Sequence, residues 1–486
     1  MKNFEMYLNS HPQIRSCVYY IEADYPDWRL YELLNTVYLD QLTIVSDMSP
    51  EHMGEMMEQF RRSCAIHPIH VPEQLQTMTR EELLAQDRTV DVLAFEHTRN
   101  AADILAMAEL KPRYLIGEMP EQAVSSFTLW ETFCKATPHI HITTLREGKE
   151  PQVLQWDRRD DSDIELSIIF PMYNVAKYLD QCIGSVTAWK ADYVEFLFVN
   201  DGSPDNSREV VLKWAEKDPR IKLLDKPNGG CASARQWGLD RAKGRYIGFV
   251  DPDDFTDESM FRKLFRAAME GSYEISYSGY REYYENTGKT HDVDDLTGAP
   301  YCDGVTDPAL VQPLAAFCRV AIWRGIYSRE MLDRANIHFY TEIRRFDDLP
   351  FKFETFANAK SVVTVDEHLY YYRLSRPGQD VSADDERLYV HFPIFQHLNE
   401  SIAAKGNQRL TDYLQLCKIQ THRYALSKIR REFLKEYARQ AKLDLKSTGS
   451  FLRSAGLIRR GVGKKSYLFY LGIMTGSTVL LNQVRK

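Results

Sequence analysis

The sequence predicts an α/β protein of two or three domains ending in a helical, basic region. Three observations predict it. The 486 residues exceed what one ordinary core organises. Short apolar strand-like runs alternate with amphipathic helical stretches over the first half of the chain. From about Asp384 the pattern turns helical and increasingly basic. With 44% hydrophobic and 27% charged residues the chain reads as folded and globular.

Residues 1–155 hold strand candidates at Cys17–Ile21, Leu42–Val45, Val90–Ala94, Tyr114–Ile116 and Ile140–Ile142, with helical stretches such as Glu51–Cys64 and Ala101–Leu110 between them. That alternation is the signature of a parallel, Rossmann-like α/β domain. It carries no Gly-rich phosphate loop, so no cofactor is assigned to it. A polar link from Arg146 through Asp163 leads to a second domain over 165–383. No apolar run follows Met1-Lys-Asn-Phe-Glu-Met, so no signal peptide is expected. Eight cysteines without a C-x-x-C pair suit reduced thiols and a cytoplasmic setting.

The second domain opens with the strand Leu166–Phe170, running into Pro171-Met-Tyr173-Asn174. A second strand, Phe196–Val199, stops at Asn200-Asp201-Gly-Ser203; Asn228-Gly-Gly-Cys-Ala-Ser-Ala-Arg235 follows. A third strand, Tyr246–Val250, ends in Asp251-Pro-Asp-Asp254. Acidic groups therefore stand at the carboxyl ends of successive strands, where open α/β sheets bind ligands. In extended chain, residues i and i+2 face one way, so Asp251 and Asp253 can share a site, and their hard oxygens suit Mn²⁺ or Mg²⁺ on a diphosphate. A D-x-D in isolation is usually a solvated turn; the buried strand before it and the helix expected near Asp257 favour a metal site. The Asp201 carboxylate can accept hydrogen bonds from a pyrimidine imide, or serve as a turn residue before Gly202. Arg235, one turn beyond a Gly pair, suits a charge-assisted contact to phosphate or base, or a place on the surface. Asn228-Gly-Gly230 lets backbone approach a ligand closely.

The order of these motifs resembles the family 2 glycosyltransferases, whose nucleotide-binding fold is GT-A: a strand ending P-x-Y-N, then N-D-G-S, N-x-G-x-x-x-A-R and a D-x-D-D box. The resemblance spans about residues 165–382. Val320-Ala-Ile-Trp323 is similar to the family's acceptor-side tryptophan segment, Phe346-Asp347-Asp348-Leu-Pro-Phe351 to its E-D-x-x-F box, and Tyr370-Tyr-Tyr-Arg373 to its Y-x-Y-R strand. Asp347 stands where Glu is usual, Gln236 follows Arg235 where Asn is common, and Gln379 falls where serine often follows.

The resemblance implies metal-dependent, inverting transfer of a sugar from a nucleotide donor, UDP-linked, to a hydroxyl of a glycan or anionic polymer. Asp348 matches the family's general base, and a helix cap is the alternative for Asp347 or Asp348. The implied donor site comprises Pro171, Tyr173, Asn174, Asp201, Asn228, Arg235 and Asp251, with Arg376 and Ser382 holding the diphosphate. The implied metal ligands are Asp253 and Asp251, and Trp323 and Asp347 lie on the acceptor side. Two rival functions remain: a polyprenyl-phosphate sugar synthase, which needs no hydroxyl-activating base, and a catalytically inactive scaffold for another transferase.

From Ser401 to Lys486 there are 18 Lys+Arg against 4 Asp+Glu, a balance of +14, so residues 1–400 carry −22 against the chain's net −8. Such a tail points to an anionic partner, or to a solvated helical surface. Nucleic acid is not the expected partner. Ser466–Leu481 is uncharged for 16 residues between Lys464-Lys465 and Arg485-Lys486. A spanning helix needs ~20 residues, so segment 464–486 reads as peripheral, cytoplasmic-face membrane contact through Tyr467, Leu468, Phe469, Tyr470 and Leu471, or as a buried helix with a basic rim. Cys64-Ala-Ile-His67-Pro-Ile-His70 and His139-Ile-His141 lack a full ligand set and read as structural.

Overall fold

The structure is a computed structural model that describes residues 16–22, 40–46, 48–66, 74–86, 90–96, 101–293, 301–374, 383–449, 453–456 and 463–476. It divides into two compact units, residues 1–161 with 269–272, and residues 162–268 with 273–486.

The first unit contains β1 (Ser16–Ile21), β2 (Gln41–Ser46), α1 (Pro50–Ile66), β3 (Gln74–Met78), β4 (Val92–Glu96), α2 (Ala101–Ala106), β5 (Tyr114–Pro120), α3 (Ser126–Phe133), β6 (His139–Leu145) and β7 (Gln152–Asp157). The sheet order is β3-β2-β1-β4-β5-β6-β7. The first six strands are parallel and β7 runs antiparallel along the edge. That is a doubly wound sheet whose order reverses between β1 and β4. Its five expected strands are present. Two more, β3 and β7, were not among the expected strands: β3 is largely exposed, and β7, within the stretch read as a polar link, buries only Leu154 and Trp156 on alternate positions. His139 pairs with Asp157 and stacks on Tyr114, while His141 is buried with its pKa lowered by desolvation. His67 and His70 lie outside the described residues, among which no group of three or more His/Cys/Asp/Glu side chains is placed to hold a metal ion by itself.

The second unit begins with β8 (Leu166–Met172), α4 (Ala176–Val186), β9 (Val194–Asn200), α5 (Ser207–Ala215), β10 (Ile221–Asp225), α6 (Cys231–Leu239) and β11 (Tyr246–Phe249). These four strands are mutually parallel in the order β10-β9-β8-β11. Every residue of β8 and β9 is buried, as befits strands covered on both faces. β12 (Phe255–Thr256), α7 (Met260–Glu270), β13 (Ile275–Tyr284), β14 (Lys289–Val293), β15 (Gly325–Ser328), α8 (Asp348–Asn358) and β16 (Val362–Leu374) complete the sheet, which continues β11-β15-β13-β16-β12 with β14 on β13. α6 packs tightly on β8 because Gly238 has no side chain: a Cβ there would lie 2.5 Å from Ile169.

Among the described residues the chain continues through α9 (His391–Ala403), α10 (Gln408–Lys428), α11 (Arg431–Thr448) and α12 (Gly463–Thr475). They belong to the same compact unit. Ile394, Phe395 and Leu398 of α9 share one apolar core with Leu349, Phe353 and Phe356 of α8. In the tail the helix is packed: Phe469, Tyr470 and Ile473 of α12 are buried with Leu416, Tyr437, Ala441 and Leu445. This corrects the expectation that Phe469 and Tyr470 face a bilayer, since burying such side chains is worth about 1.5–3 kcal/mol each and they are committed to the bundle. No described helix is long and apolar enough to cross a membrane.

Candidate active site

Chain geometry brings the strand-end motifs together. β8 leaves the sheet through Pro171 and Met172 to Tyr173, whose ring is 51% exposed, and Asn174, which adopts a left-handed φ of 56°. The neighbouring exit of β9 is tied to it: Asp201 N–H donates to the Met172 carbonyl at 2.9 Å and Asn174 N–H to Ser203 Oγ at 3.3 Å.

Asp201 bonds to the loop that follows it. Its carboxylate accepts from Gly229 N–H at 2.9 Å and Gly230 N–H at 2.8 Å, and pairs with the Lys226 ammonium. Asn228 Nδ2 donates to the Asp201 carbonyl at 2.9 Å. The turn ends at Gly230, whose φ of 89° a side chain would strain, and α6 starts there. Asp201 thus holds the glycine loop in shape, a role that its place at a strand end did not indicate.

Arg235, on α6, is 4% exposed. Its Nη1 donates to Asp347 at 2.8 Å and its Nη2 to Asp251 at 2.6 Å, while its Nε has no hydrogen-bond partner. The surface alternative for Arg235 does not hold. One buried guanidinium instead bridges the D-x-D box and the acidic pair at the start of α8. Asp347 occupies the cap position of α8 without capping it, its side chain being turned to Arg235. Phe346, just before, has a left-handed φ of 55°, uncommon for an aromatic residue.

Asp348 is partly exposed beside this pair. Burial, and then the negative charge of Asp347, push its carboxyl up to about 7, with Arg235 acting in the opposite direction. Asp254 is driven well above the usual carboxylate range by burial and by the charges of Asp253 and Asp251. It accepts from Tyr370 Oη at 2.7 Å and Arg373 N–H at 2.7 Å. Tyr370 in turn accepts from Asp251 N–H at 3.2 Å. Arg373 Nε donates to the Asp253 carbonyl at 2.7 Å, and its other nitrogens reach Gln181 and Glu285. Asp254, Tyr370 and Arg373 therefore fix the shape of the acidic box, and sequence reading had not given them that part. The Y-x-Y-R pattern for Tyr370 and Arg373 and the D-x-D-D box for Asp254 were their sequence signals. Trp323 is 5% exposed and stacks on Tyr370 at 4.1 Å and Tyr372 at 5.3 Å, so it backs the tyrosine strand. Arg376 and Ser382 lie outside the described residues.

The donor set at the box is two carboxylates on one strand end, hard oxygens whose charges, after burial, push the neighbouring Asp254 upward. This fits a divalent cation that draws its remaining ligands from phosphate and water.

A family model described as glycosyl transferase family 2 matches residues 167–329. The uncharacterized glycosyltransferase EpsJ of Bacillus subtilis is 36% identical over 212 residues, 43% of this chain and 60% of that protein. The minor teichoic acid biosynthesis protein GgaB of Bacillus subtilis is 41% identical over 103 residues, 21% of this chain and 11% of that protein. The chain spans 60% of the length of the first curated relatives it matches. Staphylococcus aureus TarS 1–349, solved with UDP-GlcNAc, matches with a TM-score of 0.53 at 20% identity, covering 66% of this chain and 90% of that one. That likeness is one of fold. The matched segment, the ordered strand-end motifs and the shared fold agree: residues 167–329 match glycosyl transferase family 2, within a domain built on β8–β16 that has a GT-A fold.

Proposed function

We propose that this chain is a metal-dependent, inverting glycosyltransferase that moves a sugar from a UDP-linked donor to a hydroxyl of a glycan or anionic cell-surface polymer. The observation that carries the reading is Asp348, a carboxyl raised to about 7 beside the Arg235 bridge to the D-x-D box. A base with that pKa is half-ionised near neutrality and can take the proton of an acceptor hydroxyl as its oxygen attacks the sugar carbon. The bond from that carbon to the diphosphate breaks on the opposite face, which inverts the centre. Asp253 and Asp251 would hold Mn²⁺ or Mg²⁺, which when bound neutralises charge on the departing diphosphate. The donor class is supported by the fold shared with TarS, which was solved with UDP-GlcNAc, and the acceptor class by the teichoic acid assignment of GgaB. A raised Asp348 also favours a hydroxyl acceptor over a polyprenyl phosphate, which needs no base. The intact trio Asp251, Asp253 and Asp348 disfavours an inactive scaffold.

Nucleoside diphosphate release from a panel of nucleotide sugars with Mn²⁺ tests the activity; no release from any donor would overturn it. Asp253→Ala is expected to leave the fold intact and weaken Mn²⁺-dependent UDP binding by at least about tenfold, about 1.4 kcal/mol. Calorimetry with UDP and Mn²⁺ measures this, and unchanged affinity would remove Asp253 from the metal site.

The basic C-terminal region supports peripheral contact with an anionic polymer or the cytoplasmic face of a membrane. With Phe469 and Tyr470 buried, that contact is electrostatic, at about 1 kcal/mol per basic residue and fading over a Debye length of ~8 Å. Lys464 and Lys465 are exposed at the start of α12. Lys464→Glu with Lys465→Glu is expected to weaken co-sedimentation with anionic vesicles, and 0.5 M salt to abolish it, with neutral vesicles binding nothing. Salt-insensitive binding would show an apolar contact instead.

A further inference from the structure

Inside the bundle of α9, α10 and α11 lies a buried chain of polar side chains that the transfer reaction does not use. His391 Nδ1 lies 3.0 Å from Tyr437 Oη, and Tyr437 Oη lies 3.1 Å from His422 Nδ1. His422 Nε2 lies 2.8 Å from Asp444 Oδ2, and Lys418 Nζ lies 2.7 Å from Asp444 Oδ1 and 2.6 Å from Thr448 Oγ1. His391, His422, Lys418 and Tyr437 are all essentially inaccessible.

Donor and acceptor rules orient the whole chain. The Asp444 carboxylate only accepts, so His422 Nε2 donates to it and His422 Nδ1 is left as an acceptor. Tyr437 then donates its one hydroxyl proton to His422 and accepts from His391 Nδ1–H. Both imidazoles are neutral in this arrangement. Burial agrees with it, lowering His422 and taking His391 down to about 3. Each ring plane is fixed by a bond at a known atom, as in a fully satisfied polar network.

The chain ends at the acidic pair. The His391 imidazole packs against the Phe346 ring, with centroids 5.2 Å apart and planes tilted by 59°. Phe346 is the residue held at a φ of 55° immediately before Asp347 and Asp348, and it packs against both the main core and the bundle core. A bulky residue stays left-handed only where its surroundings impose it. The surroundings here include the ring that Tyr437 orients.

We propose that His391, Tyr437 and His422 are positioning residues for the Asp347–Asp348 pair, acting through the ring of Phe346, so that the C-terminal bundle sets the geometry of the proposed base. As a statement about catalysis this rests on the transferase reading above; as a statement about the loop it does not. Tyr437→Phe removes one oxygen and keeps the ring. Hydrogen–deuterium exchange of the full chain is expected to show amides of residues 344–349 exchanging about tenfold faster, with β8 and β11 unchanged. Phe346→Ala, at a half-buried site, should reproduce the pattern with the bundle intact, and it decides the matter if Tyr437→Phe does not fold. Unchanged exchange at 344–349, or equal acceleration in β8 and β11, would overturn the proposal. With an active donor, kcat should fall about tenfold to a hundredfold in either variant while UDP–Mn²⁺ affinity stays within about twofold. Affinity and kcat falling together would mark general loosening and overturn it too. A wild-type protein that turns over no nucleotide sugar sinks the transferase reading alone, because the exchange experiment still reads the loop.

Discussion

Asp348→Asn is expected to retain donor binding and lose about 10²–10⁴-fold in transfer rate, because only the proton acceptor is deleted. The same change should raise thermal stability. Asp348 titrates near 7 in the folded protein against about 3.9 unfolded, so the folded state holds a proton that the unfolded chain releases. Stability therefore falls as pH rises through that window, and the full penalty is present above 7. Asparagine keeps the shape and removes the charge. The melting temperature of the variant should exceed that of the wild type at pH 8, with the gap closing towards pH 4. In the wild type, kcat/KM should climb through an acid limb near pH 7, which the variant lacks. Near-normal turnover in Asp348→Asn would move the base elsewhere.

Arg235→Met is expected to have the largest effect on stability. The guanidinium is buried and paired with Asp347, itself buried, and with Asp251. Breaking a buried pair by removing one partner typically costs about 3–5 kcal/mol, since the other charge is left without compensation. The loss should depend on pH with a definite sign. Arg235 holds the Asp348 carboxyl down against the push from Asp347, so without it the pair takes up protons more readily. The penalty is greatest above neutrality and eases as acid neutralises the carboxyls. Denaturant melts at pH 8 and pH 5.5 measure this; equal losses at both would show that Arg235 matters through packing alone.

The fold of the central domain was legible because its parallel strands are near-continuous apolar runs that stop at Asn174, Asp201 and Asp251. The acidic box was legible for the same reason, whereas Asp348, at the start of a helix, was singled out only by the resemblance of Phe346–Phe351 to the family's E-D-x-x-F box. The pairing of Arg235 with Asp347 was not, since 112 residues separate them and only the sheet's crossover brings α6 to the start of α8. Asp201 was read as facing a base or as a turn residue, and its carboxylate accepts from Gly229 and Gly230 N–H. Nothing local distinguishes a carboxylate that meets a ligand from one that braces the loop meeting it. β7 was hidden by its charged flanks, although Leu154 and Trp156 alternate as an edge strand should. The uncharged run of the tail suited a membrane surface and a bundle equally, and packing with Tyr437 and Leu445 decided for the bundle.

The brace at Asp201 has a thermodynamic consequence. Three bonds to one carboxylate hold the glycine loop in its working shape before any ligand arrives. The conformational entropy of ordering that loop is settled during folding, at about 1–2 kcal/mol for each residue fixed, and is not charged again on association. Binding heats should therefore report mainly the contacts and the water released, and the glycines should bind as a rigid surface.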